Sequence, residues 1–227
     1  MLRHIRICGT DMKKAIKLSL FGVPGAGKGT QAELLTSFLS VPHISTGDMF
    51  RASQTGQSDV SKKIKAILDS GELVSDELVT EMTFARLGQS DCEDGFLLDG
   101  FPRTLSQAKS LQESAFAIDF LIEIKVERDE IVRRLSGRRV CPVCKATYHI
   151  DFLNSDLVCT AGHGKLFQRE DDRSAAIEKR LNLFESNLAP VLGFYQEIGR
   201  FRSVEGAGQP KEVFQRILGA LGFSDEE

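Results

Sequence analysis

The sequence predicts an α/β fold: a five-stranded parallel sheet flanked by helices. Two observations carry this expectation. Short apolar runs recur at 16–21, 41–44, 96–99, 118–125 and 201–204, separated by stretches with helical periodicity. The first run also stops at a glycine-rich loop that opens directly into a helix, the strand–loop–helix order of a parallel sheet.

The elements follow in order. Residues 1–14 read as a polar tail, MLRHIRICGTDMKK, with a second Met at Met12 and without the apolar segment of a secretory signal. The run IKLSLF is the first strand, and in QAELLTSFLS the residues Ala32, Leu34, Leu35, Phe38 and Leu39 share one helical face. Amphipathic stretches at 60–71, 76–87, 129–137 and 175–187 supply further helices between the remaining runs. Residues 138–168 break the rhythm. They contain no helical pattern, hold three of the five cysteines, and read as short strands and turns in an insert folded on its own terms.

Charge and cysteine usage exclude several classes of function. The chain carries 29 basic against 32 acidic residues, so no overall basic excess draws it to nucleic acid or an anionic membrane. Phosphate binding would have to come from locally placed Arg and Lys. The apolar runs are far shorter than a membrane span. An odd number of cysteines without a secretion signal argues for a reducing, cytoplasmic setting and against a disulfide framework.

The loop after the first strand, GVPGAGKGT, contains the G-x-x-x-x-G-K core of a phosphate cradle, with Gly22, Gly27 and Lys28 in register. Backbone N–H groups must turn inward around a polyphosphate, and side chains would obstruct them. The helix that follows offers its positive end to the same anion, and Lys28 adds a point charge. The general pattern places Ser or Thr directly after the lysine, whereas here Gly29 precedes Thr30. A nucleoside triphosphate is the expected ligand. A second phosphate site is indicated by STGDMFR (45–51) and DGFPRT (99–104), which follow strands at the edge where α/β folds bind ligands, together with QREDDR (168–173) and EKR (178–180).

With GVPGAGKGT, STGDMFR, GELVSDELV, FLLDGFPRT, GRRVCPVC and QREDDR in order from about residue 15 to 222, the chain resembles adenylate kinase in its long-lid form. The resemblance implies a P-loop kinase core (15–44, 75–137 and 175–227), a helical AMP-binding segment (45–74) and a small β-rich lid (138–174). It implies reversible, Mg2+-dependent transfer of a phosphoryl group from ATP to AMP, giving ADP, in purine nucleotide homeostasis, by a cytoplasmic monomer.

Carried over residue by residue, Gly25, Ala26, Gly27, Lys28, Gly29 and Thr30 would hold ATP phosphates, with Thr147, Tyr148 and Gln209 at the ATP nucleoside. Thr46, Arg51, Glu72, Leu73, Val74, Gly100, Phe101, Pro102, Arg103 and Gln107 would form the AMP pocket, Arg103 gripping the phosphate and Gln107 reading the adenine. Arg134, Arg138, Arg169 and Arg180 would surround the phosphates in transit. Asp99 would orient magnesium-bound water, and Asp171 and Asp172 would position lid arginines. The competing readings are a UMP/CMP kinase, a GTP:AMP kinase and, from another class, a zinc-ribbon module that binds nucleic acid or protein. Thr104 after DGFPR and the long lid favour adenylate as acceptor.

In the lid, Cys141 and Cys144 form one CxxC, and Cys159 opens a second knuckle whose expected partner position holds Gly162. A redox pair needs a helix N-terminus, which this turn-rich segment lacks. Cys159 and His163 make a C-x3-H spacing, suited to tetrahedral zinc, so Cys141, Cys144, Cys159 and His163 are the expected ligands of a structural Zn2+. His149, Asp151 and water remain rivals for the fourth position.

Overall fold

The computed structural model describes residues 16–53, 75–153, 156–169 and 172–223, without the side chains of Arg51, Ser53, Arg180 and Leu183. The expected tail, the helix at 60–71, Glu72, Leu73, Val74 and Asp171 lie outside the described residues. The chain divides into two compact units, one comprising 1–22, 27–125 and 187–227, the other 23–26 and 126–186.

The first unit is built on a five-stranded sheet of order β2-β3-β1-β4-β7. Its strands are β1 (Ile16–Phe21), β2 (His43–Ser45), β3 (Gly95–Asp99), β4 (Phe120–Lys125) and β7 (Phe201–Glu205). Every pairing in it is parallel. A parallel sheet covered by helices must be apolar on both faces. Accordingly Leu18, Phe96, Leu97, Leu98, Leu121 and Ile122 are wholly buried. The second strand begins two residues later than the sequence run suggested, because Pro42 offers its carbonyl to Leu97 without a donor of its own.

The helices of this unit are α1 (Lys28–Leu39), α2 (Thr46–Ser53), α3 (Asp76–Leu87), α4 (Leu105–Glu113) and α7 (Pro210–Ala220). Ser75 caps α3 by accepting from the Leu78 N–H, and Gln209 and Glu212 close a reciprocal box at the start of α7. Phe38 of α1 makes edge-on contacts with Phe214 and Phe223, with centroids 5.8 and 5.6 Å apart, tying α1 to the C-terminal helix. Gly95 fits where nothing larger could: at φ 116° an added Cβ would collide with the Ile16 carbonyl oxygen.

Tyr195 lies in the final turns of α6 (Ser174–Glu197), wholly buried, with a hydroxyl that has no hydrogen-bond partner among the described residues. Burial pushes its pKa upward. An orphaned buried hydroxyl costs free energy, so Tyr195→Phe is expected to leave stability unchanged or raise it by about 1 kcal/mol in urea unfolding. A loss of stability would reveal a partner for that hydroxyl.

The second unit contains α5 (Arg128–Gly137), the first part of α6, and the antiparallel pair β5 (Arg138–Val140) and β6 (Thr147–His149). Ile131, Leu135, Ile177 and Leu181 pack into one apolar cluster, joined by Val23 of the glycine-rich loop. The expected insert of strands and turns is seen: β5, β6, a 3-10 turn at Ile150–Phe152, and bridges Val140–Phe167 and Val158–Lys165. Among the described residues its own apolar cluster is small: Cys141, Cys159 and Leu166 with Tyr148 and Leu153 against them, and Val140 buried in β5.

Candidate active site and metal centre

The glycine-rich loop takes the conformation a phosphate cradle requires. Gly22, Gly25 and Gly27 have φ of 147°, 88° and 95°, so successive amides point in directions that residues with a Cβ rarely adopt. Gly25 is constrained by packing as well, since a Cβ there would lie 2.8 Å from Leu135 Cγ. Gly27 caps α1 in the left-handed region without a side-chain cap, leaving the positive end of the helix to a ligand. Lys28 folds back and donates to the Gly22 carbonyl at 2.7 Å, so its ammonium stays at the mouth of the loop.

Beside the loop, the β1–β3 register sets Leu20 opposite Asp99. An added Cβ on Gly29 would lie 3.9 Å from Asp99 Oδ2, which puts this carboxylate next to the first turn of α1. Burial alone would raise the Asp99 carboxyl. The approach of His43 Nε2 at 3.5 Å, with the positive charges of Lys28 and Arg103, more than offsets that and holds it below the ordinary carboxylate range. Asp99 is therefore ionised at neutral pH, as a group that orients metal-bound water must be.

The turn after β3 joins three candidate residues. Thr46, almost fully buried, donates to the Gly100 carbonyl at 3.0 Å, and Arg103 Nε donates to the same oxygen at 2.7 Å. Gly100 has φ 87°, and a Cβ there would stand 2.8 Å from both Arg103 Nη2 and Thr46 Oγ1. Phe101 and Pro102 are linked by a cis peptide, and the Phe101 carbonyl accepts from Ser19 at 2.7 Å. Gln107, buried in α4, accepts from the Arg103 backbone N–H at 2.8 Å and donates to Asp76 at 2.7 Å. Gln209 and Thr30 border a depression of about 460 Å3, shared with Glu33, Leu34, Pro210 and Lys211.

In the second unit, Arg138 and Asp172 form a bidentate ion pair, Nε to Oδ2 at 2.7 Å, with the Asp172 side chain buried. Arg134 is steadied one turn along α5 by Glu130 at 2.7 Å; hydrogen bonds from Arg133 and Arg134 pull that carboxyl down to about 2. Arg169 lies in the same segment, its carbonyl accepting from the Asp172 N–H at 3.1 Å.

Cys141, Cys144, Cys159 and His163 converge, their ligand atoms all within 4.8 Å of one another. Cys144 and Cys159 sulfurs are 3.7 Å apart, and His163 Nδ1 lies 3.8 Å from Cys141 and 3.6 Å from Cys159. Zinc–ligand bonds of about 2.3 Å to sulfur and about 2.0 Å to nitrogen, set tetrahedrally, imply edges of roughly 3.5 to 3.8 Å. These separations fit that metal. Gly162 takes a left-handed turn at φ 76° with no atom near its missing Cβ, and donates to the Cys159 carbonyl at 2.9 Å. Its conformation swings the chain so that the next residue faces the sulfurs.

The rival ligands are engaged elsewhere. His149 directs Nε2 at the Arg133 carbonyl, 3.2 Å away, while Nδ1 accepts from the Asp151 N–H, and Asp151 pairs with Arg133. Tyr148 sends its hydroxyl to Cys159 Sγ at 3.3 Å, and this hydrogen bond contributes most to pulling the thiol down to about 6.

The family model for adenylate kinase matches residues 20–200. The chain belongs to the adenylate kinase family. The adenylate kinase of Carboxydothermus hydrogenoformans is 45% identical over 212 residues, covering 91% of this chain and 99% of the relative. That of Bacillus licheniformis is 43% identical over 217 residues, covering 93% and 100%, and that of Citrifermentans bemidjiense 44% over 212 residues, covering 91% and 99%. The reaction of adenylate kinases is phosphoryl transfer between ATP and AMP, and the chain is an enzyme of this nucleoside monophosphate kinase class. Among the described residues, no helix is long and apolar enough to cross a membrane.

Two residues around this adenylate kinase site escaped the sequence reading. His43 lay inside a run read as strand, and only the β2–β3 register, which sets His43 opposite Leu97 and Ser45 opposite Asp99, brings its ring to Asp99. Asp76 resembled an ordinary acidic residue in a first helical turn. Its contact with Gln107, 31 positions away, is tertiary.

Proposed function

We propose that this adenylate kinase catalyses ATP + AMP = 2 ADP with the phosphates of the donor in the loop 22–30 and the acceptor held by Thr46, Gly100, Arg103 and Gln107. The single observation that carries the reading is the turn after β3, where Arg103 is anchored on Gly100 beside the ionised Asp99. Phosphoryl transfer passes through a loose transition state with charge spread over the equatorial oxygens, so catalysis is alignment and electrostatic stabilisation. Loop N–H groups and Lys28 cradle the donor. Arg103 fixes the acceptor phosphate in line with it. Arg134, Arg138, Arg169 and Arg180 are assigned to the charge of the group in flight, and the lid to the exclusion of water that would otherwise hydrolyse ATP.

Magnesium, when bound, supplies charge neutralisation between the donor phosphates, and Asp99 has the charge and position to orient its water. Cys141, Cys144, Cys159 and His163 would hold a structural Zn2+, which would reinforce the small apolar core of the lid and would take no part in the chemistry. Thr147, Tyr148 and Gln209 are assigned to the donor nucleoside, and residues 45–74 to the AMP segment, with a cytoplasmic monomer as the working form.

A coupled assay with ATP and AMP tests the proposal, with UMP, CMP and GTP offered in competition. Turnover specific for AMP with ATP is expected. Preference for UMP or CMP as acceptor, or for GTP as donor, would replace the reading with the corresponding kinase. Absence of transfer, with nucleic-acid binding in its place, would leave the zinc-ribbon alternative.

A further inference from the structure

The amide of Gln107 is held at both ends, and by groups that agree about which end is which. The Asp76 carboxylate can only accept, and it faces Nε2 at 2.7 Å. The Arg103 backbone N–H can only donate, and it faces Oε1 at 2.8 Å. A flipped amide would set oxygen against carboxylate and N–H against N–H, two repulsive contacts in a side chain that is 3% exposed. Asp76 is itself fixed, because Thr104 donates to its other oxygen at 2.5 Å while capping α4 by accepting from the Gln107 N–H at 3.3 Å.

We infer that Asp76 is a positioning residue that sets base specificity in the acceptor site, by locking the Gln107 amide in the one orientation that reads a 6-amino purine. With one N–H and one lone pair committed, Gln107 keeps one acceptor and one donor for a ligand. The base edges of adenine that carry the 6-amino group pair that donor with a ring-nitrogen acceptor, which complements this remaining set. A 6-oxo purine presents an acceptor where adenine presents its amino donor, and would demand the flipped amide that Asp76 forbids. Discrimination of this kind is strong because the wrong base leaves buried polar groups unpaired.

The inference rests on Gln107 being the adenine reader, and the experiment separates the two claims. Steady-state kinetics with ATP as donor and either AMP or inosine monophosphate as acceptor are measured for wild type, Asp76→Asn, Gln107→Leu and the double variant. An asparagine can present either end of its own amide, so Asp76→Asn is expected to lower the AMP-over-inosine-monophosphate ratio of kcat/KM by on the order of tenfold. The loss for AMP should fall mainly in KM. In the Gln107→Leu background the same substitution should change the ratio no further, since Asp76 acts only through Gln107. A purely structural role would move both acceptors together and persist in that background.

If Asp76→Asn fails to fold, Asp76→Ser, which also can donate and suits a first helical turn, carries the same expectation. An unchanged ratio in Gln107→Leu would remove Gln107 as the reader, and the inference with it. A collapsed ratio in Gln107→Leu with an unchanged ratio in folded Asp76→Asn or Asp76→Ser would overturn the role of Asp76 alone.

Discussion

Arg103→Ala yields a folded protein whose kcat/KM for AMP falls by roughly 10^3 to 10^5, the range associated with removing an arginine that stabilises a phosphoryl group in transfer. The fold survives because the Arg103 guanidinium is exposed and anchored on the Gly100 carbonyl, while the turn itself is held by other bonds: Thr46 to Gly100, and Ser19 to Phe101. Arg103→Lys restores charge without the planar fork and should recover only part of the loss. Lys28→Met should reduce turnover comparably, because the ammonium at the mouth of the loop has no substitute among the loop's own side chains. Thermal unfolding of each variant, run beside the coupled assay, is the check. Near-normal turnover in folded Arg103→Ala would sink the assignment of the acceptor site.

Loss of the metal is expected to act on stability before it acts on chemistry. Purified protein should carry one zinc per chain by elemental analysis. His163→Ala should weaken zinc binding by on the order of a hundredfold or more, and His149→Ala should leave it nearly intact. The reason is the size of the lid core, where the described cluster is Cys141, Cys159 and Leu166 with two partly buried neighbours, too small to hold two short strands without a cross-link. Chelation should therefore lower the unfolding midpoint and expose Val143, Ile150 and Phe152 further to proteolysis. Unchanged zinc affinity in His163→Ala would leave the cluster standing but return its fourth position to another ligand.

Much of this adenylate kinase was legible in the order of its residues. The strand runs, the glycine loop with Lys28 and the turn DGFPRT are local patterns, and local patterns survive in one dimension because strand alternation, helix periodicity and left-handed glycines depend on near neighbours. The C-x3-H spacing likewise pointed to the members of the cysteine–histidine cluster, since a knuckle is a local turn. What the sequence determined alone was thus a set of local arrangements: a glycine loop with a lysine at a helix start, an arginine turn at the edge of a parallel sheet, and a cysteine–histidine knuckle in an insert.

The tertiary structure decided which of the alternatives those residues use. His163 became the fourth member of the cluster because Gly162 turns through the left-handed region, while His149 and Asp151 are drawn away by Arg133. His43 acquired Asp99, and Asp76 acquired Gln107, across strands and helices remote in sequence. Ionisation of a buried carboxylate and orientation of an amide depend on which charges and hydrogen-bonding groups the fold brings beside them. Sequence spacing sets what can meet along one element; only packing of one element on another sets what does.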